Sequence, residues 1–521
     1  MSTTSPPPPE GPSGPEYLEQ GGGDPVAPSS SSSGGRGRRT TLLAGGALVL
    51  LTAAGAGTWA AMSLLGSDAQ PAEALPAGTL AYATVDLDPS GAQKIAALRM
   101  IGKFPAIQAE LGGFDAQDDI RRAIFEQADC EGMSYDDDVA PWIGTSLAVA
   151  AVDVGKEEPS PVGVLELADA EAAEAGLAKL AGCGEAGSGS GTGYVVAGDW
   201  AVVAETEDIA REVVDDAADG TLADDSTYQD WMDRVGEPGV VSMYASPDVG
   251  PLVADEVAEG SLVAGDFEGA AGTVRFADGG LEVEFAASVP EEVTMALPPT
   301  EDATADVVGT LPADTAVAYG AALPEGWTEA MLEALSSSGI PQDQIDQGLA
   351  QAEAQTGLSL PEDVETLLGE QFALAVGGSF DLEQLVNSGD PSGLPLGAKI
   401  RGDAEAINGV MDRLGTSSGM PEWFETETGG DTVSWSLDPD YRRTLAGDGG
   451  LGTSESFQGV LPDADRASSL LFVDFDAGNW LTSLGKGDPE VQDNLRPLSA
   501  LGISVWREDS TSHGRLRLTT D

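Results

Sequence analysis

The sequence predicts an α+β protein: a disordered N-terminal tail, one transmembrane helix, then a tandem duplication of an antiparallel-sheet-plus-helices domain. Three observations predict it. A pattern of helix start, glycine stop and apolar strand occurs twice. It runs Gly132 to Gly144 and on through Leu147 to Val152, then Gly357 to Gly369 and on through Phe372 to Val376. Hairpin signals recur along the chain, and hairpins imply antiparallel pairing. An uncharged run from Leu42 to Leu65 follows Arg36, Arg38 and Arg39.

Residues 1–39 are rich in Pro, Ser and Gly, with Pro6 to Pro9 and Ser29 to Ser33 as unbroken runs. Such a segment buries too little apolar surface to offset its chain entropy, so it reads as a disordered cytoplasmic tail. Residues 40–65 read as the transmembrane helix, long enough for a hydrocarbon core of about 30 Å. The preceding arginines put the N-terminus in the cytoplasm and the rest of the chain outside, as a single-pass signal-anchor. The rival is a cleaved signal peptide, because Ala54-Gly55-Ala56 resembles a small-residue cleavage site.

Residues 66–74 form a polar linker, 75–288 the first repeat, 289–310 a Pro-containing acidic linker, and 311–521 the second repeat. In the repeated pattern, Ser134 with Asp137 and Ser359 with Glu362 have the spacing of a capping box, which predicts two matching helix starts. Asp169-Ala170-Glu171-Ala172 and Asp403-Ala404-Glu405-Ala406 predict two more. Tyr194 to Ala197 and Trp200 to Ala204, split by Gly198-Asp199, form one hairpin; Thr273 to Phe276 and Leu281 to Phe285, split by Asp278-Gly279-Gly280, form another.

The chain carries 24 Lys+Arg against 88 Asp+Glu, a formal charge of -64. Nucleic-acid phosphate repels such a polyanion, so no nucleic-acid partner is expected. The single histidine, His513, excludes multi-histidine metal sites. Cys130 and Cys183 lack C-x-x-C spacing and are a disulfide candidate in an oxidising compartment.

Motifs that carry chemistry fail on context. Gly182-Cys183-Gly184-Glu185-Ala186-Gly187 matches G-x-G-x-x-G, but a helical stretch precedes it where a dinucleotide site needs a strand. Ser483 and Lys486 match S-x-x-K without the rest of that signature. Asp86-Leu87-Asp88-Pro89-Ser90-Gly91 begins like a calcium loop, yet Ala97 stands where the bidentate glutamate belongs. Asp136, Asp137 and Asp138 read as a helix start favoured by the dipole rather than as cation ligands. Lys94, Arg99, Lys103, Arg121 and Arg122 read as partners of nearby acids rather than of lipid headgroups. No catalytic, cofactor-binding or metal residue is assigned, and no cofactor is expected.

The opening Leu75-Pro76-Ala77-Gly78-Thr79-Leu80-Ala81-Tyr82-Ala83-Thr84-Val85-Asp86-Leu87-Asp88, behind a single apolar segment, resembles domain of unknown function 3352. That family comprises uncharacterised membrane-anchored envelope proteins of actinobacteria and cyanobacteria. The resemblance covers about residues 70–521. It implies an architecture and an envelope location, and it transfers no catalytic residue.

The expected function is therefore that of a membrane-anchored extracytoplasmic protein, a non-catalytic binding or structural module of the cell envelope. Its expected partners are the cytoplasmic membrane through one helix, and an envelope protein or a small apolar ligand. One alternative is a carrier of an apolar ligand in a sheet–helix cavity. Another is a carboxylate-dependent envelope hydrolase.

Overall fold

The computed structural model describes residues 70–89, 91–110, 121–122, 125, 133–156, 158–182, 192–254, 267–277, 279–289, 304–337, 340–378, 395–481 and 488–521. Sixteen strands form within them. The first eight are β1 (Thr79–Asp86), β2 (Ile143–Val152), β3 (Ser160–Leu167), β4 (Gly193–Ala197), β5 (Trp200–Ala204), β6 (Val241–Ala245), β7 (Ala270–Ala277) and β8 (Gly280–Ser288). The others are β9 (Thr315–Ala322), β10 (Gln371–Gly377), β11 (Leu396–Arg401), β12 (Thr426–Gly429), β13 (Thr432–Ser436), β14 (Ser469–Asp474), β15 (Leu498–Glu508) and β16 (Thr511–Thr520).

All sixteen belong to one antiparallel sheet, in the order β12-β13-β11-β10-β9-β14-β15-β16-β8-β7-β6-β1-β2-β3-β5-β4. This corrects the expected tandem duplication of a domain with its own sheet. The sheet does not end between residues 288 and 311. β8 pairs with β16 from Thr511↔Ser288 to Thr519↔Gly280. A bare β8 or β16 edge would leave a row of N–H and C=O groups unpaired; joining them removes both edges.

Helices cover both faces. On one face, the helices Glu207–Ala217 and Ser226–Arg234 seal a core around Tyr82, Val164, Val202 and Trp231. The helices Pro439–Leu445 and Glu455–Val460 seal a second core around Leu311, Phe472 and Leu470 on that same face. The other face carries three smaller clusters. One joins Ala97, Met100 and Ile101 of the helix Gly91–Ile101 to Leu147, Val274 and Val283. The others centre on Trp142 with Leu177, and on Ile407 with Ile400.

The helix starts differ from the capping boxes expected. Ser134 makes no side-chain cap bond, and Ser359 lies two residues before the N-cap Pro361. The acid four residues on, not three, reaches back: Asp138 accepts from the Ser134 N–H at 2.9 Å, and Asp363 from the Ser359 N–H at 2.7 Å. Each acid also binds a base on a neighbouring helix, Asp138 to Lys179 and Asp363 to Arg413. The Lys179 ammonium and the Ser134 N–H hold the Asp138 carboxyl below the usual carboxylate range. Burial pushes Asp363 up, but Arg413 and the Ser359 N–H outweigh it, and the net direction is down. Asp169 and Asp403 do cap their helices, accepting from Ala172 and from Glu405 and Ala406.

The membrane placement is also corrected. No helix among the described residues is long and apolar enough to cross a membrane. Residues 1–65, with the tail and the run from Leu42 to Leu65, lie outside the described residues. Nothing among the described residues supports the single-pass signal-anchor or its cytoplasmic and extracytoplasmic sides.

Candidate ligand-binding face

Side chains alternate across a strand, so the register decides which residues share a face. Across this sheet it aligns apolar residues on fifteen of the sixteen strands. One transverse row runs Val196, Ala201, Leu165, Leu147, Val85, Val241, Val274 and Val283 through the first eight strands. It continues through Leu516, Ile503, Leu471, Tyr319, Leu374, Ala398 and Trp435 to Thr426 at the far edge. The adjacent row on the same face includes Val149, Ala83, Met243, Gly272, Phe285, Gly514 and Val505. At about 4.8 Å per strand, the band is about 70 Å long.

The three helix-covered clusters shield parts of this band and leave others open. Val149 is 46% exposed, Phe285 42%, Tyr319 42%, Leu374 45% and Leu396 39%. These five are the strand-borne members of the exposed large apolar side chains, and all five point to this face. Tyr319 and Phe372 meet with ring centroids 6.0 Å apart. Phe285 sits between two glycines, Gly272 and Gly514. A Cβ on Gly514 would collide with the Phe285 ring, so the glycine is what lets the ring lie flat on its neighbour strand. The helix Gly91–Ile101, which packs on the band through Ala97, Met100 and Ile101, turns Ile95 (51% exposed) and Leu98 (44%) outward.

Charge is segregated to the opposite face by the same alternation. There Glu282 and Glu284 of β8 lie opposite Arg517 and Arg515 of β16. Arg275 of β7 donates to Glu282 at 2.8 Å and pairs with Glu284. Arg517 approaches Glu282 at 3.2 Å, and Arg515 also pairs with Asp463. Burial disfavours the Arg515 charge, but Glu284, Asp463 and Glu282 hold its pKa above the ordinary value. Beside this network His513 stacks on Trp506, with centroids 5.3 Å apart and planes 5° from parallel. Burial pushes the His513 pKa below its ordinary 6.5, against the pull of Glu508.

Residues singled out by motif do not converge here. Asp136 pairs with Arg122 at 2.7 Å, and that hydrogen bond holds its carboxyl low. Lys94 pairs with Asp88, and the Lys103 ammonium donates to the Thr520 carbonyl at 2.9 Å. Cys130, Cys183, Ser90 and the segment from Ser483 to Lys486 lie outside the described residues. Among the described residues there is no group of three His, Cys, Asp or Glu side chains placed to hold a metal ion. Phe285, Tyr319 and Leu374 were not singled out by sequence. Their signal was the failure of alternation: runs such as Leu470-Leu471-Phe472-Val473 are apolar on both faces, where a half-solvated strand would alternate.

The protein-family model described as "Protein of unknown function (DUF3352)" matches residues 43–385, more than half of the chain. No curated protein matches. The solved structure titled "Structure of crystal form III of TP0453" aligns at a TM-score of 0.22 and 8% identity, over 45% of this chain and 88% of that one. A likeness of that size carries no argument.

Proposed function

The chain belongs to the DUF3352 family, whose description assigns no activity, and from the geometry of its sheet we propose that it carries an elongated apolar ligand, an uncharged acyl-chain lipid, on the apolar face. The observation that carries this reading is the band of apolar residues crossing fifteen of the sixteen strands, with Val149, Phe285, Tyr319, Leu374 and Leu396 about half exposed on it. Between the helix-covered stretches these five side chains leave apolar surface open to solvent, and exposed apolar patches mark ligand or partner sites.

The choice of occupant follows from the chemistry of the band. Its backbone polar groups are used in the sheet, and its two rows hold almost no polar side chains, so directional partners have little to bind. A polymethylene chain needs none, and each methylene removed from water is worth about 0.8 kcal/mol. A protein partner would favour a polar rim with hydrogen bonds. The formal charge of -64 disfavours an anionic ligand at close range.

The test uses the full chain and an uncharged fluorescent probe, the methyl ester of cis-parinaric acid. We expect saturable binding, weakened about ten-fold or more (about 1.4 kcal/mol) by Phe285→Asp, Tyr319→Asp and Leu374→Asp, with far-UV circular dichroism unchanged. Absence of binding, or binding indifferent to all three variants, refutes the reading. So does a dimer that the same variants convert to monomer, because a second copy would then be what covers the face.

A further inference from the structure

One charged side chain among the described strand residues departs from the segregation of charge between the two faces. Arg507 of β15 has the parity of Ile503 and Val505, so the strand directs it to the apolar face. Its cross-strand neighbour is Ser512 of β16, which in turn stands opposite Ala287 of β8. Every other charged residue described in the sixteen strands alternates onto the opposite face, Lys399, Arg515 and Arg517 among them.

The register ties Arg507 to the open part of the band. Val505 precedes it on the same face and pairs with Gly514, the glycine over which the Phe285 ring lies. Phe285 is two strands from β15 and one same-face position along, so at about 4.8 Å per strand and about 3.4 Å per residue the two Cα atoms stand about 12 Å apart. A chain lying on Phe285 therefore brings its polar head to the guanidinium. Arg507 is half-buried, and burial pushes its pKa below the ordinary value, because the charge is partly removed from water. A guanidinium carries five N–H donors, so bonds to protein neighbours and to a ligand can coexist.

We propose that Arg507 is the head-group residue of the ligand face: it donates to the carbonyl oxygen of a neutral acyl ester or amide whose chain lies over Phe285. This rests on the lipid-carrier reading above and adds to it the class of head and the direction of the chain. A plain hydrocarbon laid against the guanidinium would strip water from it and return no acceptor, which is costly. A carbonyl oxygen accepts in a charge-assisted bond while the rest of the molecule stays apolar. The Ser512 hydroxyl, on the same face, offers a second donor. A free carboxylate would match the fork itself, but it would enter the field of a chain with formal charge -64, and Glu508 and Asp509 follow Arg507 directly.

The experiment titrates the full chain with three fluorescent polyenes: the methyl ester of cis-parinaric acid, the free acid, and the hydrocarbon diphenylhexatriene, which has no acceptor. Arg507→Met keeps an apolar stem and removes the donors. It should weaken the ester about ten-fold and leave the hydrocarbon within about two-fold of the parent. Phe285→Asp should weaken both. Arg507→Lys keeps the charge but loses the fork, and it should weaken the ester several-fold with the hydrocarbon unchanged. It decides alone should Arg507→Met fail to fold by circular dichroism. Equal effects of the deciding variant on ester and hydrocarbon, or no effect on either, would overturn the head-group role while the carrier reading stands. Free acid bound about ten-fold or more tightly than the ester would overturn the neutral head. Should none of the three probes bind, the carrier reading itself has failed and this inference falls with it.

Discussion

Glu284 of β8 stands directly opposite Arg515 of β16, and the Arg515 guanidinium donates to Glu284 Oε1 at 2.8 Å across the middle of the sheet. Both side chains are largely buried, and Arg275 and Asp463 extend the pair into a network. The chain segments it joins are far apart in sequence, so the contact closes a long loop. Removing one partner leaves the other charged in a low-dielectric place. Glu284→Leu should therefore lower unfolding stability by about 3–5 kcal/mol in a urea titration, and the double variant Glu284→Leu, Arg515→Met should recover part of that loss. A single variant within about 0.5 kcal/mol of the parent would mean that the pair does not hold the seam.

Ser504 and Ser434 carry the opposite expectation. Their side chains are 1% and 0% exposed, and both hydroxyls lack a hydrogen-bond partner among the described residues. Each hydroxyl loses water on folding and gains nothing. Ser504→Ala and Ser434→Ala should be neutral or stabilising by up to about 1 kcal/mol, measured by the same titration. Destabilisation by more than about 1 kcal/mol would reveal a partner for the hydroxyl, such as a bound water.

His513, the single histidine of the chain, dominates the pH dependence of stability near neutrality; Asp476, whose carboxyl burial raises, acts in the opposite sense at lower pH. Burial depresses its folded pKa below 6.5, with Arg466 and Arg234 pushing the same way and Glu508 and Glu284 opposing. As pH falls through 6.5, the unfolded chain takes up this proton before the folded chain does. The contribution is complete above that value and is lost as pH falls towards the depressed folded value. Carboxylates held low, Asp136, Asp138 and Asp363, begin to matter only nearer their ordinary value of 3.8. The Tm should be lower at about pH 5 than at about pH 7.5, and His513→Gln should flatten that difference. An unchanged slope in the variant would assign it to other groups.

Gly514 tests the seating of Phe285. A Cβ there meets the far end of the Phe285 ring, a side chain 42% exposed. Gly514→Ala should cost only about 1 kcal/mol of stability, at the lower end for overpacking, while weakening acyl-probe binding several-fold. Unchanged acyl-probe binding in a folded Gly514→Ala variant would separate Phe285 from the binding face.

The sequence by itself determined local structure well. Asp169 and Asp403 announce their helices because a short acid before an alanine-rich stretch satisfies free N–H groups wherever it lies. The hairpins β4–β5 and β7–β8 follow from Gly198 and Gly279, both at positive φ, between β-prone runs. The reach of Asp138 and Asp363 to a fourth neighbour was not legible, because Lys179 and Arg413 come from other helices and draw the acids to them. Nor was the candidate site. Phe285 and Tyr319 read locally as ordinary strand residues; they share one face with Leu374 only because β8 pairs with β16, β9 with β14 and β10 with β9 in one register. Arg507 reaches that face, opposite Ser512, by the same means. A shift of one residue at any of those pairings would send every side chain of the strand to the other face. That choice is made by side chains packing across long separations of chain, so only the tertiary structure decides which side chains meet on each face.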